Sequence, residues 1–353
     1  MSTAASAVTT ASPAERRRTA DLVFYGSLAY TAALTVLWLV VLATGRGGGF
    51  FAEWQVTGQG LVRVAVGFLF FNLLWGLIWL GIKTLVLAEM VGFSKAERRA
   101  AFGSRMREPF DLADLLARHS ERRIRIADMI GRRGRFILLQ LTGFAFLYHN
   151  IRTQPTNKFL TAFLSDNLLD AVVFSWGALA LYYVDGFLGR LYYGPQSRIM
   201  DGTLARANCL LITTLWSAFK FILVPIGHRL GVLFPPEQFA VLFLLIWGCY
   251  TAADATSEIV GALFGKQKLR VWGMGDVNRK SIAGTVTGLV GGIVFGVGLV
   301  MLNHLPGPFI ALAVAVAVTS SVLELYSPRG TDDFTMATGN ALVCWAFGLW
   351  VMN

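Results

Sequence analysis

The chain is poor in charge. Asp, Glu, Lys and Arg make up only 15% of its 353 residues, where a soluble domain carries roughly 25%. That shortage excludes an ordinary soluble globular domain. Cysteine is scarce too: Cys209, Cys249 and Cys344 stand singly in apolar runs, with no CxxC pair. Neither a zinc site nor a disulfide framework is supported, and the three read as small buried hydrophobes. The four histidines, His119, His149, His228 and His304, are scattered without an HxxxH spacing. Also missing is the short apolar–polar alternation of membrane barrel strands.

Hydrophobic residues, by contrast, make up 55% of the chain, and the mean hydropathy is +0.57. Several apolar runs approach the ~20 residues a helix needs to cross the bilayer core, and helices satisfy their own backbone there. The expected fold is all-α, a polytopic transmembrane bundle. The net charge of +10 raises nucleic acid as a partner, but its placement argues against that. Twelve of the 31 lysines and arginines lie between Ser94 and Arg135, beside an apolar run, as cytoplasmic loops of membrane proteins do.

About nine spans are expected: 24–44, 61–82, 136–151, 168–184, 208–226, 239–253, 282–302, 309–323 and 334–352. Residues 1–20, rich in Ala, Ser and Thr with Arg16-Arg17-Arg18, read as a disordered cytoplasmic tail. Residues 21–253 form an N-terminal membrane region containing the basic segment 94–135, and 254–353 a catalytic one. Within the basic segment Leu112, Leu115 and Leu116 recur at helical spacing after Pro109. This predicts an amphipathic helix on the membrane surface, starting near Asp111. With the N-terminus cytoplasmic, every even-numbered span returns the chain inside. The basic segment, the 254–285 stretch and the 324–333 loop then share the cytoplasmic side.

The 254–285 stretch, DATSEIVGALFGKQKLRVWGMGDVNRKSIAGT, gathers acids, glycines and bases directly after an apolar run. Asp254 and Glu258 are four apart, one helix face. Such a pair suits magnesium, which takes one or two protein carboxylates and completes its shell with phosphate oxygens. Gly261 and Gly265 permit close approach. Lys266, Lys268, Arg270, Arg279 and Lys280 offer charge to phosphates, and Lys280-Ser281 opens a helix whose N-terminus favours anions. Each feature also has a plainer reading: GxxxG packs helices, and bases between spans obey the positive-inside rule. The acids are harder to dismiss, since ionisable groups at a span end mark function.

The pattern Asp254-x6-Gly261-x3-Gly265-Lys266-x-Lys268-Leu269, then Lys280-Ser281-x2-Gly284-Thr285, resembles the shared motif of integral-membrane CTP-using enzymes. These join phosphatidate cytidylyltransferases to dolichol and phytol kinases. The resemblance covers about 32 residues, about a hundred with the downstream spans; the first two hundred match nothing specific. The cytidylyltransferase signature downstream is absent: no lysine follows Lys280. Glu324-Leu-Tyr-Ser-Pro-Arg-Gly-Thr-Asp332-Asp333-Phe334 is similar to the kinase branch, with Asp333 where that branch has Asn.

The resemblance implies CTP as co-substrate with Mg2+, and a membrane lipid as acceptor. Asp254 would be a magnesium ligand, with Glu258, Glu324, Asp332 and Asp333 completing the metal site or positioning the alcohol. Gly261, Gly265 and Gly284 would let the nucleotide approach. Lys266, Lys268 and Lys280 would bind phosphates, with Ser281 adding a hydroxyl. Asp254, Lys280 and Asp332 are the catalytic candidates, and both acids are eligible by type as general base. The leading expectation is a CTP-dependent kinase of an isoprenoid-like alcohol; the second, a cytidylyltransferase acting on a lipid phosphate. A transporter using Lys83, Glu89, Asp170, Asp185 and Lys220 is the distant third, with Lys83 and Glu89 expected at the cytoplasmic interface, where lysine snorkels.

Overall fold

A computed structural model describes residues 12–44, 62, 65–67, 69–70, 74–102, 112–153, 156–270, 280–328 and 330–352. The order is α1 (Pro13–Thr44), α2 (Trp75–Val91), α3 (Lys95–Ala101), α4 (Leu112–Arg118), α5 (Glu121–Thr153), α6 (Thr156–Tyr182) and α7 (Phe187–Tyr193). A 3-10 helix (Ile199–Leu204), α8 (Ala205–Leu233) and α9 (Pro236–Phe264) follow. A hairpin of β1 (Lys268–Leu269) and β2 (Lys280–Ser281) leads into α10 (Ile282–Leu302), α11 (Gly307–Tyr326) and α12 (Asp332–Met352).

Among the described residues six helical segments are long and apolar enough to cross a membrane: 14–40, 199–233, 236–264, 282–302, 307–326 and 332–351. The chain is an all-α integral membrane protein. Of the other three expected spans, most of 61–82 lies outside the described residues. α5 is helical across 136–151 but heavily charged over its first half, and 169–182 of α6 form a shorter apolar helical run.

The N-terminal reading needs correction. α1 begins at Pro13, within the stretch expected to be disordered, because Ser12 and Glu15 close a capping box: Ser12 N donates to Glu15 Oε2 (2.6 Å) and Glu15 N to Ser12 Oγ (3.2 Å). Residues 1–11 lie outside the described ones.

α9 is the axis of the bundle. The apolar window of α9 is 83% buried, against 11% for α1, so α9 is sheathed by protein while α1 presents most of its surface outward. Phe239, Phe243 and Leu245 pack with Phe219 and Leu223 of α8, Leu312 and Val316 of α11, and Met336 and Ala337 of α12. The buried Asn340 amide of α12 donates to the Ile246 carbonyl (3.1 Å) and to Ser320 Oγ (2.9 Å), a polar tie between spans. α10 meets α9 through a strip of small residues. A Cβ on Gly284 would stand 2.6 Å from the Ser257 carbonyl, and one on Gly296 2.9 Å from Cys249 Sγ. The two backbones can therefore approach as larger side chains would forbid.

The amphipathic segment also differs from expectation. α4 begins at Leu112, close to the expected start, but its buried Leu112 and Leu115 join Leu87, Phe93, Phe102, Ile124 and Ile199 in a protein cluster. The apolar stripe is used against α2 and α5. Gly92 makes this possible: its left-handed φ of 80° ends α2, its N–H bonding the Ala88 carbonyl (3.0 Å), and turns the chain back.

Candidate active site

α9 continues past the end of its apolar run, which puts Asp254 and Glu258 one turn apart facing α5. Both are clasped by arginines. Arg133 Nη2 lies 2.5 Å from Asp254 Oδ2, and Arg133 Nε and Arg132 Nη2 each donate to Glu258. Arg198 Nη2 stands 3.7 Å from Glu258 Oε2, so this carboxylate meets three guanidiniums. Burial pulls the Arg133 pKa down, but the charges of Asp254, Glu258 and Asp333 outweigh it and raise the pKa above the ordinary arginine value.

Behind the arginines runs a second line of ion pairs. Arg132 Nε is 3.4 Å from Asp128 Oδ2, and Asp128 Oδ1 is 2.8 Å from Lys83 Nζ. That ammonium also donates to the carbonyls of Gly194 (3.1 Å) and Ser197 (2.5 Å). Lys83 is 0% exposed; it does not snorkel to an interface as expected but ties α2, α5 and the turn after α7 together. Two glycines let α5 sit this close. A Cβ on Gly131 would lie 2.7 Å from Lys83 Cγ, and one on Gly134 2.9 Å from the Trp79 ring.

The opposite wall is the hairpin and the start of α10. The strands pair antiparallel, Lys268 with Ser281 and Leu269 with Lys280. Ser281 caps α10, its Oγ accepting from Gly284 N (3.1 Å). Gly265 abuts it: a Cβ there would fall 2.4 Å from Ser281 Oγ. Lys268 Nζ donates to the Gly261 carbonyl (3.4 Å). Buried Lys280 stands 4.0 Å from Glu324 Oε1, the same oxygen that accepts from Ser257 Oγ (2.9 Å).

Between the walls is a cleft. It is lined by Arg125, Asp128, Met129, Arg132, Arg198, Met200, Asp254, Ser257, Glu258, Gly261, Ala262, Lys268, Lys280, Ser281, Gly284, Thr285 and Glu324. Eight residues singled out in the sequence thus share one cavity: Asp254, Glu258, Gly261, Lys268, Lys280, Ser281, Gly284 and Glu324. Four others do not line it. Gly265 packs behind Ser281, Lys266 is exposed, and Asp332 and Asp333 sit in the first turn of α12, the former buried and the latter half-buried.

Among the described residues no group of three or more His, Cys, Asp or Glu side chains is arranged to hold a metal ion; of the five acids, Asp254, Glu258 and Glu324 line the cleft and Asp332 and Asp333 do not. Asp254 and Glu324 both line the cleft; Ser257 Oγ lies within hydrogen-bond distance of the Glu324 carboxylate (2.9 Å) and of the main-chain carbonyl of Asp254 (3.1 Å). Two carboxylates facing basic residues fit magnesium that shares its shell with phosphates.

Sequence reasoning missed the α5 wall. Arg125, Asp128 and Arg132 recur at three and four, one helix face, and Gly131 and Gly134 flank the arginine pair. Charge at helical period, bracketed by glycines and running into an apolar stretch, was the available signal.

No protein-family model matches the chain, and no solved structure matches it. Among curated proteins it is similar to a phytol kinase of Synechocystis sp. (strain ATCC 27184 / PCC 6803 / Kazusa), at 33% identity over 148 residues. The alignment takes in 41% of this chain and 54% of that protein, so the chain spans about half the length of the curated relative it matches.

Proposed function

We propose that the protein is a CTP-dependent lipid alcohol kinase, transferring the γ-phosphate of CTP to an isoprenoid-like alcohol of the membrane. The observation that carries this is the single cleft where carboxylates of α9 and α11, lysines of the hairpin and the glycines of α9 and α10 converge. The similarity to a phytol kinase supports a phosphoryl acceptor of the lipid alcohol class.

In this reading the alcohol oxygen attacks the γ-phosphorus, the bond to the β-phosphate oxygen breaks, CDP leaves, and the alcohol loses its proton. Such a transfer asks the protein mainly for in-line positioning and charge neutralisation. Lys268 and Lys280 neutralise phosphate charge, the capped N-terminus of α10 adds its dipole, and Gly261 and Gly284 leave room for the phosphates. Asp254 and Glu324 would hold magnesium, which supplies further charge neutralisation when bound. Asp254 lines the cleft and Asp332 does not, which supports Asp254 over Asp332 as the acid that orients the reacting groups, the alcohol proton leaving to water.

The test is to incubate purified protein with magnesium, a membrane lipid extract and CTP labelled at the α or the γ phosphorus. Label from the γ position in lipid is the expected outcome, with the acceptor then identified by mass. Label from the α position would mean cytidylyl transfer to a lipid phosphate and would overturn the kinase assignment.

A further inference from the structure

The cleft has a basic wall that the proposed chemistry has not yet used. We infer that Arg132 of α5 and Arg198, from the turn before the 3-10 helix, are phosphate-binding residues of this cleft, and that Glu258 is their counter-ion while it is empty of nucleotide. The inference rests on the CTP reading above and extends it to the N-terminal half of the chain.

Geometry separates these two arginines from their neighbour. Arg132 and Arg198 line the cleft, whereas Arg133 does not; their side chains are 11%, 18% and 7% exposed. Arg133 is a positioning residue, held by Asp254 and Glu258 together. Arg132 and Arg198 reach the same Glu258 from the cleft side, Arg198 standing off at 3.7 Å. The lining cations Arg125, Arg132, Arg198, Lys268 and Lys280 face four lining carboxylates, so the cleft is nearly neutral by itself. A triphosphate needs cations that can leave their present partners without stranding a buried charge, since an uncompensated one is costly.

In the ion pairs with Glu258 and Asp128, Arg132 and Arg198 meet that condition. If both turn to phosphate, Glu258 keeps Arg133, and Asp128 keeps Lys83 at 2.8 Å. If Arg133 turned instead, Asp254 would lose the partner 2.5 Å away. Guanidinium is also the group suited to the task, because its planar fork matches two phosphate oxygens at once where an ammonium cannot.

The test is CTP binding by equilibrium dialysis in EDTA, which isolates protein–phosphate contacts from the metal. Four full-length proteins are compared: wild type, Glu258→Gln, Arg132→Lys/Arg198→Lys, and the combination of all three. The double lysine variant keeps every charge and loses only the fork, and is expected to bind CTP at least about tenfold more weakly. Glu258→Gln is expected to bind several-fold more tightly, and that gain should vanish in the combined variant, a coupling that marks direct interaction. A gain that persists there would reflect only lost repulsion and would overturn the inference, as would unchanged affinity in the lysine variant. If the double variant fails to fold, Arg198→Lys alone, with the looser contact, carries the comparison.

A lipid monophosphate presents the same chemistry. A parallel titration with a short prenyl monophosphate separates the sources: weakening confined to it would reassign the wall to the lipid side and overturn the nucleotide assignment. A wild type that binds no CTP even with magnesium would overturn the kinase reading itself, and this inference with it.

Discussion

At the scale of the residue, Asp254 carries the most. It lines the cleft and is 4% exposed. Asp254→Asn preserves shape and an acceptor oxygen, and Arg133 keeps Glu258, so the protein is expected to insert and fold normally. Removing the charge from a site built around phosphate should lower turnover by at least about 100-fold. Phosphate transfer measured beside a thermal midpoint checks both halves; an Asn variant with normal turnover would sink the assignment. Gly284 tests the packing that shapes the same site. The Cβ of Gly284→Ala would come 2.6 Å from the Ser257 carbonyl, a clash with backbone that only a shift of α10 relieves. A loss of about 1–3 kcal/mol is expected from such overpacking, read as a lower midpoint together with weaker CTP binding. An unchanged midpoint would mean that α9 and α10 are not packed through this glycine.

At the scale of the element, α3 and the end of α4 are tied together through Glu97. Ser94 and Glu97 form a capping box on α3, with Ser94 N donating to Glu97 Oε2 (2.7 Å). His119 Nε2 and Arg118 Nη1 reach Glu97 Oε1 at 3.0 and 2.8 Å. Burial pushes the Glu97 pKa up, but hydrogen bonds from His119 and Ser94 and the charge of His119 win, lowering it to about 2. A depressed folded-state value means that the stabilisation is complete above the ordinary glutamate range near 4.5 and lost as pH falls toward 2. Glu97→Gln should reproduce the acid state at neutral pH, with the protection factors of α3 and α4, each taken against the intrinsic exchange rate at its own pH, falling to those the native protein shows near pH 2. Equal protection in both proteins at neutral pH would show that the carboxylate does not hold the segment.

How much of this was legible in the sequence differs from element to element. The spans of α8 to α12 stand out as apolar runs bounded by Pro235-Pro236, Pro306 and Pro328. The α9–α10 half of the cleft was legible for the same reason: its acids, glycines and lysines are contiguous in the chain. The α5 half was not. Arg132 meets Glu258 across 126 positions, and nothing local distinguishes an arginine that obeys the positive-inside rule from one that faces a carboxylate. Leu112 and Leu115 misled similarly, since an apolar stripe looks the same whether lipid or α2 covers it. The capping boxes at Ser12 and Ser94, in contrast, were there to be read as S-x-x-E.

At the scale of the molecule, the cleft opens at one end of the bundle, and the side of the membrane it faces decides whether it meets nucleotide. Arg16 to Arg18 and the basic 94–135 segment argue by the positive-inside rule that this end is cytoplasmic. The protein suits a direct test. Its three cysteines are buried in the membrane helices, so background reaction with an impermeant maleimide should be low. Gln267, exposed beside the hairpin, and Gly307, exposed at the opposite end of α10 with open space around its Cβ, can each be replaced by cysteine without a clash. α10 spans 21 residues between them, about 30 Å at a helical rise, the thickness of the hydrocarbon core. Gly307→Cys is therefore expected to label in intact cells and Gln267→Cys only after permeabilisation. The reverse pattern would turn the cleft outward, away from CTP, and the kinase reading would fall with the orientation.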